Sequence, residues 1–251
     1  MTIRCIFKIA MVLALLTSAL PAWAQGGIGR NAQQGIRTGT CRYLFNSTPR
    51  GTLDSTEAAE LAYLREEEKL ARDVYNALYS KWGVRIFRNI AQSERRHSDA
   101  LALLLSRYGL SDPAANKAPG DFENPGLKAL YSDLVAEGEA SFLAALRVGA
   151  TVEDLDFHDL EKAVAGTDNE DLKAVYRNLQ KGTANHMQVL VQQLKAGGEE
   201  YSAQYVSATT LAEMLSTPDN RGAGYGARKA GLRGSRQGSG ICPWSSIPTT
   251  N

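Results

Sequence analysis

Between residues 56 and 195 the apolar positions recur every three or four residues, the spacing that draws one stripe along a helix. A first helix is expected from about Thr56 to Lys81, with Leu61, Leu64, Ala71, Val74, Tyr75 and Leu78 on one face and Gly83 as its stop. A second runs from about Ile86 to Tyr108, turning Ile86, Ile90, Leu101 and Leu104 inward, with Gly109 as its C-cap. Pro113, Pro119 and Pro125, together with two glycines, make 111–126 a loop, and a short helix at about Leu127 to Glu137 interrupts the long connection. A third main helix covers roughly Ser141 to Ala165, with Gly149 as the point where it could break. Thr167 and Glu170 form a capping box for a fourth that ends near Leu194. No strand-like alternation competes. Four main helices with one long central crossover predict an all-α four-helix bundle.

The ends of the chain follow other patterns. Arg4 and Lys8 precede an apolar run from Ile9 to Leu20, and Ala22-Trp23-Ala24 closes it, which together is the anatomy of a secretory signal over residues 1–24. The run is short for a membrane span, although an uncleaved anchor is the alternative, and no other segment is apolar enough to span. A periplasmic or secreted protein is therefore expected. In that setting Cys41 and Cys242, the cysteines left after cleavage, could pair as one disulfide or stay as two free thiols.

Charge is balanced overall, with 28 Lys+Arg against 27 Asp+Glu, which speaks against nucleic-acid binding driven by net charge. The balance hides an asymmetry. All 27 acids lie between residues 52 and 219 against 17 bases there, a net of −10, while both ends are basic. Residues 25–55 and 211–251 read as flexible arms, the latter rich in Gly, Ser and Arg, around a body at 56–210.

Several ionisable residues fall on the apolar faces of that body. On a helical wheel Glu66 faces outward, while Glu67 and Glu68 straddle the buried centre of the first helix. Glu94 and His97 flank the line from Ile90 to Leu101 in the second. Glu153 lies near the centre of the third face, and His186 sits between Leu179 and Leu190 on the fourth. His158 points away from its apolar face and reads as surface. A buried carboxylate without a partner costs several kcal/mol, so several of them need a compensating cation. Mixed carboxylate and imidazole donors suit iron or manganese. Each residue alone has a plainer reading: Glu68 could pair with Arg72, Glu67 could lie at a boundary, Glu153 could cap a helix starting near Thr151, and either histidine could be a hydrogen-bonded core residue. Four faces agreeing favours the metal.

The run Leu61-x-x-Leu64-Arg65-Glu66-Glu67-Glu68-Lys69-Leu70-Ala71-Arg72-Asp73-Val74-Tyr75 is one motif and Ser93-Glu94-x-x-His97 another. With Gly149-x-x-x-Glu153-Asp154-Leu155-Asp156, Asp168-Asn169-Glu170 and Asn185-His186, they resemble the family called domain of unknown function 2202, within the ferritin-like superfamily. That resemblance implies a ferritin-like bundle with a carboxylate-bridged pair of iron or manganese ions. It implies ligands at Glu68 (Glu67 is the competing choice), Glu94, His97, Glu153 and His186. The fourth helix departs from the pattern, since Thr183 stands where a glutamate three residues before the histidine belongs, and Asp156 is the candidate replacement. Tyr75 could support the site or simply pack the core. The implied function is a metal-binding protein of oxidase or ferroxidase type. The alternatives are a structural bundle with a degenerate site and passive metal sequestration.

Overall fold

The computed structural model describes residues 51–216. The expected signal segment, Cys41, Cys242 and most of both basic arms lie outside the described residues. Within them the chain forms six helices: α1 Ser55–Trp82, α2 Arg85–Arg107, α3 Pro125–Gly138, α4 Phe142–Ala165, α5 Glu170–Ala196 and α6 Ala208–Ser216. None is long and apolar enough to cross a membrane.

Local chemistry sets the helix ends. Asp54 accepts from the backbone N–H groups of Thr56 and Glu57 while Glu57 reaches back to the Asp54 N–H, a reciprocal cap that opens α1. Gly83 at φ +67° closes it in the left-handed region, which glycine enters without a Cβ penalty. Asn124 with Pro125 opens α3, and Ser141 opens α4. Two expectations need correction here. The cap of α5 is Asn169, which accepts from the N–H groups of Asp171 and Leu172, whereas Thr167 uses its hydroxyl on Glu57 and accepts from the Asn169 N–H. The break expected near Gly149 does not occur, because Gly149 sits inside α4 against Leu190 and Tyr75, where a Cβ would come within 3.0–3.2 Å of them.

The apolar residues collect in two layers. One contains Leu70, Val74, Tyr75, Leu78, Phe87, Ile90, Leu146, Val148, Met187 and Leu190. The other contains Leu61, Leu64, Leu101, Leu104, Leu105, Leu160, Leu172, Tyr176 and Leu179. Helices α1 and α5 run from the second layer to the first, and α2 and α4 run the other way. The crossover between α2 and α4 accounts for this up-down-down-up order, and α3 within it packs on α1 and α4. In every main helix the stretch between the two layers carries the ionisable residues.

The boundary drawn at residue 210 is crossed by α6, whose Leu211 and Met214 join the first layer while Gln188 donates to the Met214 carbonyl.

Candidate metal centre

Each main helix brings one or two ionisable side chains to the polar layer. Glu68 of α1 and Glu94 and His97 of α2 form one group, and Glu94, Glu153 of α4 and His186 of α5 form another; within each, the donor atoms lie within 4.8 Å of one another. Glu94 belongs to both. Its Oε2 is 2.8 Å from His97 Nδ1 and its Oε1 is 2.7 Å from His186 Nδ1. Glu68 Oε2 lies 3.5 Å from His97 Nδ1, and Glu153 Oε2 lies 3.3 Å from His186 Nδ1. The two imidazoles face each other at 5.7 Å between ring centres.

These atoms are close but poorly aimed at one another. Both oxygens of Glu68, Glu94 Oε1 and His97 Nδ1 are buried and make no directed hydrogen bond. Buried polar atoms ordinarily find partners, and lone pairs that converge without pairing describe the cavity of a cation. The donor set of carboxylate oxygens with two imidazole nitrogens fits iron or manganese chemistry.

Burial and mutual charge move the acid–base properties strongly. Burial raises Glu68, and the neighbouring Asp156 carboxylate adds to the rise. For Glu94 burial also pushes upward, but His186 and His97 outweigh it and hold the carboxyl well below its usual range. Burial works against protonation of His97, yet Glu94 and Glu68 raise it well above the usual imidazole value. His186, driven by Glu94 and Glu153 against the same burial cost, rises to about 10. At both imidazoles the neighbouring carboxylates favour the protonated form.

Surrounding groups hold this arrangement. The Tyr75 hydroxyl, wholly buried, donates to Glu153 Oε1 at 2.5 Å and lies 3.0 Å from the Gly149 carbonyl. Tyr75 therefore does more than pack. Thr183 places its hydroxyl 2.5 Å from Asp156 Oδ2, so where a glutamate was expected a threonine fixes a carboxylate arriving from α4. Gly182, which sequence reasoning missed, lies against His97: a Cβ there would sit 2.5 Å from Nε2. A glycine in a helix interior costs about 1 kcal/mol against alanine, and that cost was the available signal.

The seven predicted residues thus divide. Glu68, Glu94, His97, Glu153 and His186 converge in the two groups, while Glu67 and Asp156 are buried beside them and stand outside both. Glu67 is only 2 % exposed, so it is no boundary residue. Glu66 does not face outward: it is buried and accepts from the N–H groups of Glu123 and Asn124. Arg72 pairs with Asp73 and not with Glu68. Glu153 lies well inside α4, so it caps nothing, and His158 is half-buried beside Asp159.

The fold and the site together define an all-α bundle whose polar layer could hold metal. The chain belongs to the family described as an uncharacterized protein domain, DUF2202, whose model matches residues 57–218. It is 48 % identical over 178 residues to the uncharacterized protein MJ0754 of Methanocaldococcus jannaschii, a match covering 71 % of this chain and 96 % of that protein. A solved structure described as hypothetical protein MJ0754 from Methanococcus jannaschii superposes with a TM-score of 0.67 at 48 % identity, covering 68 % of this chain and 98 % of the other.

Proposed function

We propose that the bundle is a ferritin-like metalloprotein that holds two iron ions, with manganese as the alternative metal, for oxidase or ferroxidase chemistry. The observation that carries this reading is the shared Glu94, whose two oxygens meet the imidazoles of two different groups. Glu68 and His97 would complete one position and Glu153 and His186 the other, with Glu94 bridging. When bound, a pair of such ions would supply two electrons to dioxygen or peroxide, the ions being oxidised as the oxygen species is reduced. The chain's own residues prepare for it: Tyr75 holds Glu153 in place, Gly182 lets the His97 ring approach α5, and the two apolar layers keep bulk water from both sides of the donors. Work outside the cytoplasm belongs to the same proposal and rests on the N-terminal pattern alone.

Elemental analysis of the chain purified without chelator or metal-affinity resin tests this. About two iron or manganese ions per chain are expected, with Glu94→Ala losing both and His186→Ala keeping one. Turnover with ferrous ion and oxygen would then separate an oxidase from passive sequestration. A metal-free protein after anaerobic ferrous loading would leave a structural bundle.

A further inference from the structure

Beside the centre, a narrow cleft enters between α1 and α4 under α3 and Tyr205. Leu70, Leu130, Leu134 and Val152 form its apolar walls, and Glu67 and Asp156 are the acidic members of its lining. Its free space is that of about one water molecule or bare ion. Glu67 is 2 % exposed and neither of its oxygens has a hydrogen-bond partner; Asp156 Oδ1 is also unpartnered. Two carboxylates so buried on one cleft, with three of their four oxygens unpartnered, call for a positive charge beside them. Asp156 belongs to both places: its Oδ2 accepts from Thr183 in the polar layer, and the residue lines the cleft. Exposed Tyr205 also lines the cleft. Its segment is fastened to α4 by Asp154, which accepts from the N–H groups of Gln204, Tyr205 and Val206 and from the Tyr201 hydroxyl.

From this juxtaposition we infer that Glu67 and Asp156 form a separate divalent-cation site at the inner end of the cleft, through which ions pass on the way to the Glu68–Glu94–Glu153 centre. The site takes a small hard cation, since both donors are carboxylates and the apolar walls exclude larger ligands. Glu67 is then a transit ligand, which explains why it is buried, unpartnered and yet outside both groups. The inference rests on the two-ion reading for the destination of the ion, although not for the existence of the cleft site.

Manganese(II), added anaerobically to the full chain, is the probe, followed by its paramagnetic resonance for occupancy and by stopped-flow loss of the free-ion signal for loading rate. One weaker ion beyond those of the centre is expected, lost in Glu67→Gln. The same variant should fill the centre to the same final occupancy about 10-fold or more slowly, the scale on which acidic clefts accelerate cation entry. Asp156→Asn should slow loading likewise. The doubly substituted His97→Ala, His186→Ala chain separates the two ideas, because it should keep the weak ion while losing the centre. If Glu67→Gln loads at the original rate with every ion retained, or if it empties the centre at equilibrium, the transit site is overturned. A chain that binds manganese only at Glu67 would overturn the two-ion centre and support the cleft site.

Discussion

Three consecutive glutamates in α1, Glu66, Glu67 and Glu68, are all buried, and they differ completely in company. Glu66 receives two backbone N–H groups from the start of the crossover helix. Its neighbours in the same role are paired as well, although Arg65 Nε has no partner. Lys69 bonds Asp73 at 2.6 Å and the Ala118 carbonyl at 2.8 Å and stacks over Phe122, Asp73 also takes the Gly120 N–H, and Arg65 reaches Asp112. Glu67 and Glu68 make no hydrogen bond at all. The carboxylates that hold the crossover against α1 are satisfied by protein, and those of Glu67 and Glu68 are not. Burial alone thus does not mark a candidate ligand; among these glutamates it is burial with neither oxygen partnered that does.

The largest effect is expected where a buried charge has its partner. Lys69→Met removes the partner of a buried carboxylate and should cost roughly 3 kcal/mol, a fall in Tm of roughly 6–12 °C, with metal content unchanged. Glu68→Gln should do the reverse, leaving the metal-free Tm equal or higher while bound metal drops, because it replaces an unpartnered buried carboxyl with a neutral amide. Thermal unfolding beside elemental analysis reads both. A Glu68→Gln protein as unstable as Lys69→Met would erase the distinction.

Gly182→Ala sharpens it with a smaller change. The added methyl pushes on His97 Nε2, and metal affinity should weaken roughly 10–100-fold, the range for disturbing a group that orients a ligand. The helix-propensity gain offsets part of the crowding, so metal-free Tm should move little. Competition with a chromogenic chelator measures the affinity.

The mildest test is pH. Asp156 is raised to about 7, chiefly by burial and then by Glu94 and Glu153, and Glu67, Glu68, His97 and His186 are raised as well. The folded metal-free protein therefore holds more protons than the unfolded chain between pH 6 and 8. Its stability should decline as pH rises through that window, by ~1.4 kcal/mol per pH unit for each extra proton held. Glu94 has the opposite sign, but its contribution is lost only in more acid solution. Bound metal should flatten or invert the slope, since ligands must be deprotonated. Tm measured at pH 6 and pH 8 with and without manganese(II) decides it.

Much of this was legible from the sequence. The four main helices lie within a few residues of their expected bounds, and the five converging donors were identified from apolar periodicity and from motif. What escaped is equally specific. Glu66 was placed outward because the wheel registers only the faces of its own helix, and the crossover that buries it returns 57 residues later. Gly182 looked unremarkable until the His97 ring, 85 positions earlier in the chain, was seen against it. Asp154, fully buried, had no visible reason to be so until the segment around Tyr201–Val206 folded onto it.

The sequence by itself determined where helices begin, which stripe each one buries and which ionisable residues ride on that stripe, because these depend on spacings of three and four residues and on caps within a turn. Only the tertiary structure decided which buried charges find partners. Those partners lie tens of residues away, and whether a carboxylate meets an N–H, a lysine or an empty cleft depends on how the crossover packs, which no local period encodes.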